Sequence, residues 1–215
     1  VDGRQVVCKY AMSRLYINDT NKQIIVLSYA GGTKYFRHLT ETQLTTYNAC
    51  DGNTLNQQQQ EYDAIQIVRD PVDRYLSWFD KQYIKPLWLS KFSDTSSFDS
   101  WAQTYITKDW IDNYFAKAKV DLHYDGHTNF QSCWPKASLG LLYNNKGAWS
   151  YLKMEDIDSY FLNTNKFDLA KTPGQYIGIS EALDPTTYNY LVKNITQAYA
   201  YDIEWYSKLN FICPK

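Results

Sequence analysis

An α/β domain with a mostly parallel central sheet flanked by helices is the fold this sequence predicts. Two short β-branched runs, QIIVLS (23–28) and AIQIV (64–68), read as strands covered on both faces. Each is followed by apolar residues at helical spacing, the strand–helix alternation that builds a parallel sheet. At 215 residues, 44% hydrophobic and 21% charged, the chain can bury a full core, and 1–215 is read as a single domain.

After the first strand, Gly31 and Gly32 interrupt the apolar run. Tyr35, Phe36 and Leu39 then recur at helical spacing, with Arg37 and Glu41 at i,i+4. The polar stretch CDGNTLNQQQQ (50–60) carries an Asp-Gly turn signal and reads as an exposed loop. The second strand ends at Arg69, where Asp70 is a candidate N-cap and Pro71 a good first helical residue. On the helix that follows, Val72, Leu76, Phe79 and Tyr83 form an apolar stripe. Arg74, Ser77 and Lys81 share a different, polar face.

Positions 93–119 predict one or two further helices, with Asp94 or Ser97 as caps. Periodicity disappears over DLHYDGHTNFQSCWP (121–135), a loop holding two of the three histidines. WSYLKM (149–154) predicts a strand, with a short helix from Asp156, and 176–179 is another short apolar run. Asp184-Pro185 opens a long helix on which Tyr188, Leu191, Val192, Ile195, Tyr199, Ile203 and Tyr206 keep the 3.6 period.

Composition excludes some functions. A net charge of −1 argues against broad electrostatic binding to nucleic acid, which needs a strongly basic face. It leaves room for a small anion held by a few converging cations. No apolar run approaches the roughly 18 residues of a membrane helix, so no membrane span is expected, and no basic-then-apolar leader pattern stands at Val1. The 20 tyrosines, 7 tryptophans and 9 phenylalanines are mostly core packing, with a few free to serve as a carbohydrate or purine platform. Cys8, Cys50, Cys133 and Cys213 form no C-x-x-C pair, which argues against structural zinc and leaves thiols and disulfides both open. Asn18-Asp19-Thr20 and Asn194-Ile195-Thr196 fit the glycosylation sequon.

Two predicted strand ends carry the most chemistry, at the place where open α/β sheets bind ligands. In SYAGGTK (28–34) the glycines let the backbone approach an oxyanion closely. The amides of Gly31, Gly32, Thr33 and Lys34 would meet it at the positive end of a helix, joined by the Thr33 hydroxyl and the Lys34 charge. It is not a Walker loop, which needs Gly-Lys-Ser/Thr after four intervening residues. In IVRDPVDRYLS (67–77) Arg69 sits at a strand end and Ser77 about two turns into the helix, so a planar fork and a neutral hydroxyl can converge on one phosphate. The alternative pairs Arg69 with a core carboxylate and turns Ser77 to solvent.

Together these segments resemble the sulfotransferase superfamily, particularly its Golgi-type carbohydrate branch and microbial or viral relatives. Arg69, Pro71, Arg74 and Ser77 meet the spacing R-x-P-x-x-R-x-x-S, by which that family holds the 3′-phosphate of its donor, 3′-phosphoadenosine 5′-phosphosulfate. AGGTKYFRHL (30–39) is similar to its 5′-phosphosulfate loop, with Gly31, Thr33, Tyr35 and Arg37 on matching positions. HTNFQSCWP (127–135), YLKMEDIDSYF (151–161) and YAYDIEWYSKLNF (199–211) are similar to its acceptor-side, strand-then-acidic and closing segments. The resemblance therefore covers most of the chain in the right order.

It implies a P-loop-like nucleotide-binding core in a single sulfotransferase-like domain. The donor would be held by Ala30, Gly31, Gly32, Thr33, Lys34, Arg69 and Ser77, and would leave adenosine 3′,5′-bisphosphate as product. No metal is implied. The acceptor would be a hydroxyl, a saccharide among the choices, and a microbial or viral cytoplasm is the favoured setting over the Golgi lumen. Where the family carries Pro-Lys before the loop, this chain has Ser28-Tyr29. Lys34 is the nearest substitute for that cation, with Lys153 and Lys9 further candidates. Failing a substitute, the loop would transfer slowly, or bind donor without transferring. In-line attack also needs a base, and histidine suits neutral pH. His127 has the best placement, with His123, His38, Glu41 and Glu155 as alternatives. A phosphoryl-transfer enzyme of the P-loop class is a further alternative, but the sequence lacks its Gly-Lys-Ser/Thr and a clear Mg²⁺-binding aspartate.

Overall fold

The computed structural model describes residues 14–27, 33–42, 44–51, 56–92, 97–118, 131–133, 146–162 and 178–213. Its centre is a five-stranded sheet of β1 (Arg14–Asn18), β2 (Gln23–Leu27), β3 (Asn48–Asp51), β4 (Asp63–Val68) and β5 (Trp149–Lys153), in the order β3-β1-β2-β4-β5. β2 pairs with β4 and β4 with β5 in parallel, whereas β1 pairs antiparallel with both β2 and β3. The sheet is thus mixed, which corrects the expectation of a mostly parallel one. The cause is local. Asn18 Oδ1 accepts the Asn21 N–H at 2.9 Å and Lys22 adopts φ 51°, a tight turn that sends the chain straight back as a hairpin.

The predicted strands 23–28 and 64–68 appear as β2 and β4, and 149–154 as β5. β1 and β3 escaped the pattern, and β3 falls partly within the stretch read as an exposed loop. RLYIN is a short run of three apolar residues between polar ends and NACD holds only two, and the two strands pair with each other, Tyr16 opposite Ala49 and Leu15 opposite Cys50.

β2 reads as a continuous apolar run because both of its faces are covered. Ile25 and Leu27 pack with Ile65, Ile67 and Leu152 against Phe36 and Leu39 of α1 (Thr33–Thr42). Ile24 and Val26 pack on the opposite face with Leu15, Ile17, Tyr62 and Ala64. The buried Asn18 sits at the hairpin, donating from Nδ2 to Thr46 Oγ1 at 3.0 Å. The acceptor amide of its sequon is therefore enclosed, although Asp19 and Thr20 are exposed, and Asn194 is half-buried with its Nδ2 on the Tyr190 carbonyl.

The lead into β5 presses on β4. Ala148 N donates to Asp63 Oδ1 at 2.9 Å and Ala64 N to the Ala148 carbonyl at 2.8 Å. A Cβ on Gly147 would collide with the Tyr62 carbonyl and lie 2.8 Å from the Asp63 amide nitrogen. These are backbone atoms in a packed register and cannot swing aside. Gly147→Ala is expected to destabilise the fold by about 1–3 kcal/mol, read as a lower denaturant midpoint.

A helical layer holds the largest core cluster. Asp70 Oδ1 accepts the Val72 and Asp73 N–H groups at 2.9 and 3.1 Å, capping α2 (Pro71–Trp78) as the sequence predicts. The helix continues as a π segment, Phe79–Ile84, and then α3 (Lys85–Phe92). Within the π segment the Lys85 N–H reaches the Asp80 carbonyl, five residues back. Pro86 follows at once and has no N–H to give, so the wide turn lies where proline would clash with a regular ladder.

α4 (Phe98–Tyr105) and α5 (Lys108–Ala118) occupy the region read as one or two helices. Ser97 stands at the N-cap position of α4, with its hydroxyl on Ser100 Oγ. Beyond β5 a 3-10 turn, Met154–Asp156, leads into α6 (Ile157–Tyr160). α7 (Ile179–Ala182) precedes the predicted Asp184-capped helix. That helix is interrupted at Tyr199, giving α8 (Pro185–Ala198) and α9 (Ala200–Ser207).

Candidate functional site

Register fixes what meets at one end of the sheet. Leu27 pairs with Ile67, and Val68 with Lys153, so β2, β4 and β5 finish together and point the same way. Beyond β2 the chain leads into α1, beyond β4 Arg69 and Asp70 lead into α2, and beyond β5 comes the 3-10 turn at Met154–Asp156. Neighbouring strands are about 4.8 Å apart, so these three exits are adjacent at the end where open sheets take ligands. The first turn of α1 contains no acidic residue. The first amides of α2 are already occupied by Asp70, so α1 is the helix whose dipole suits an anion here.

Arg69 is the first residue beyond the β4 ladder, where its backbone groups lose their strand partners. Gln131 takes both. Its Oε1 accepts the Arg69 N–H at 2.9 Å and its Nε2 donates to the Arg69 carbonyl at 2.6 Å. Gln131 itself is fully buried at the start of a 3-10 turn, Gln131–Cys133. The N–H groups of Gln131 and Ser132 donate to Asp202 Oδ2 and Oδ1 at 3.1 and 3.0 Å, and the Gln66 amide reaches the Gln131 carbonyl at 3.5 Å. Asp202, from α9, is completely buried. Asp202→Asn replaces one acceptor by a donor facing an N–H. It is expected to cost about 1–3 kcal/mol, measured by thermal or denaturant unfolding.

The Arg69 guanidinium is half-buried. Burial pulls its pKa down, opposed by the charges of Asp73, Glu155 and Asp70 and reinforced by that of Arg74. A guanidinium stays cationic under these conditions. Among the described residues no carboxylate lies within ion-pair distance of it. Tyr206 of α9 lies in the same field: burial first, then Glu155, Asp70, Asp156 and Asp73, push its phenol up to about 12. It is therefore a neutral O–H donor at physiological pH. Its ring is 5.2 Å from Phe211, and the Lys153 ammonium stands 5.1 Å from the Phe211 ring centre. Phe211 bridges to Tyr151, and the Ile212 N–H bonds the Tyr151 carbonyl at 2.9 Å, so the end of the chain is laid along β5.

The sequence-selected residues distribute unevenly. Arg69, Lys153 and Glu155 lie at adjacent strand exits, Lys153 half-buried and Glu155 exposed. Ser77 is half-buried on α2. Arg74 is not on a polar face: it is 0% exposed, because α2 packs against both α8 and α9. Lys81 alone of that trio is exposed. His38 is half-buried on α1, and Arg37 and Glu41 are exposed. Thr33 and Lys34 are described as the opening backbone of α1. Tyr29, Ala30, Gly31, Gly32, His123, His127 and Lys9 lie outside the described residues. Among the described residues no cluster of His, Cys, Asp or Glu could hold a metal, and no helix is long and apolar enough to cross a membrane. Cys213 is an exposed free thiol.

Gln131, Asp202, Tyr206 and Phe211 escaped the sequence reading as site residues. Asp202 had one legible signal, an acid among the apolar residues of a helix read for its stripe. Chemically the arrangement offers a planar cationic fork, a neutral hydroxyl on the following helix, a second cation at the next strand and carboxylates able to take a proton. No known protein family, characterised protein or solved structure matches this chain.

Proposed function

We propose that the chain is a sulfotransferase that moves a sulfuryl group from 3′-phosphoadenosine 5′-phosphosulfate to a hydroxyl acceptor, a saccharide being one candidate. The reading also takes the strand exits for a P-loop-like core. One observation supports it: the parallel pairing of β2 with β4, in the register Leu27 to Ile67, which sets the end of β2 and Arg69 at neighbouring exits, each followed in the chain by a helix. One phosphate of the nucleotide, on this reading, meets a loop-to-helix start and the other a strand-end arginine.

In this reading the amides of Gly31, Gly32, Thr33 and Lys34, with Ala30, cradle the sulfate-bearing phosphate, while Arg69 and Ser77 hold the 3′-phosphate. His127 takes the acceptor proton as the acceptor oxygen bonds to sulfur and the bond from sulfur to the 5′-phosphate oxygen breaks. Lys34 then faces the charge that develops on the leaving phosphate. A second reading, a donor-binding module without transfer, is favoured by Tyr29, which stands where the resembled family has its lysine.

Titration calorimetry with adenosine 3′,5′-bisphosphate and with ATP separates these readings. Binding of the bisphosphate in preference to ATP is expected. No binding of the bisphosphate sinks the sulfotransferase reading, and preference for ATP with Mg²⁺ points to phosphoryl transfer. Bisphosphate binding without sulfation of any hydroxyl acceptor selects the inactive module.

A further inference from the structure

We propose that Gln131 is a positioning residue for Arg69, setting the angle at which the guanidinium meets the donor's 3′-phosphate. The inference rests on the donor-binding reading above. Arg69 leaves the β4 ladder with both backbone polar groups in need of partners, and the Gln131 carboxamide supplies an acceptor at 2.9 Å and a donor at 2.6 Å. A primary amide offers both from one planar group, which a carboxyl does only when protonated. The pair acts as a one-residue strand, fixing the main chain from which the guanidinium projects. It is not a surface contact that adjusts to its surroundings. Gln131 is fully buried and its own backbone is held through Asp202, 71 residues away, and Gln66. Gln131 touches no part of the guanidinium in these bonds, so it acts through Arg69 rather than on the ligand.

Because the clamp grips main chain, it survives replacement of the Arg69 side chain, and this makes the proposal testable by a double-mutant cycle. The full-length protein is titrated with adenosine 3′,5′-bisphosphate as wild type, Gln131→Glu and Gln131→Met, each with Arg69 and with Arg69→Ala. Glutamate keeps the acceptor but opposes the Arg69 carbonyl with a second one. Methionine keeps the volume and removes both bonds, and carries the test should the glutamate variant fail to fold. With Arg69 present, either change is expected to weaken binding by about 10- to 100-fold. In the Arg69→Ala background the same changes are expected to alter affinity by no more than about 2-fold.

Melting curves confirm that each variant is folded. Unchanged affinity with Arg69 present, or an equal loss in both backgrounds, overturns the positioning role, because general loosening does not depend on the arginine side chain. A wild type that fails to bind the bisphosphate overturns the donor reading instead, and with it the ligand named here.

Discussion

Replacing Arg69 by alanine is expected to weaken binding of adenosine 3′,5′-bisphosphate by roughly 2–4 kcal/mol, the cost of removing the cationic partner of a charged hydrogen-bonded phosphate. The setting of Arg69 explains why the loss should be large. Asp73, Glu155 and Asp70 act on the guanidinium electrostatically, so its loss leaves the local field more negative toward an incoming phosphate. The fold should be little affected, since Gln131 bonds the backbone of whatever residue stands at 69. A small shift in melting midpoint alongside a large loss of affinity is therefore expected. Arg69→Lys restores the charge without the planar fork and should lie between the two. Affinity unchanged in Arg69→Ala would remove this residue from the site.

His127→Ala is expected to lower turnover by about 10²–10⁴-fold while leaving bisphosphate affinity nearly intact, the pattern of a lost general base. The sign with pH follows from the required state. Only neutral imidazole accepts a proton, so wild-type kcat/KM should fall as acidification protonates the base. The variant should lose that limb. Turnover that survives the substitution moves the base elsewhere, and Glu155→Gln is the next comparison, because Glu155 lies at the β5 exit and acts electrostatically on Arg69.

Some features were legible from sequence because their causes are local. β2 and β4 are apolar runs closed by short-range breakers. Asp70-Pro71 and Asp184-Pro185 announce their helices by cap chemistry, and in both the Asp Oδ1 accepts two backbone N–H groups. Those same signals located Arg69 at a strand end. Other features depend on partners far along the chain. β3 is a polar tetrapeptide that becomes a strand because β1 lies beside it. Arg74 reads as surface by helical spacing, and is buried because α8 and α9 close over α2. The interruption at Tyr199 shifts which positions of the last helix face inward: Asp202 is buried while Ile203 and Tyr206 are half-exposed.

By itself, then, the sequence determined an α/β chain and the strands β2 and β4 with a helix following each, because apolar runs and caps are written in neighbouring residues. Tertiary structure alone decided that the β3 tetrapeptide joins the sheet, that β5 brings Lys153 and Glu155 to the exit next to that of Arg69, and that Gln131 holds the Arg69 backbone from 62 positions away and is itself held by Asp202, 71 positions further on. The physical reason is that a buried polar group is satisfied by whichever group the packing brings to it, and that partner need not be near in sequence.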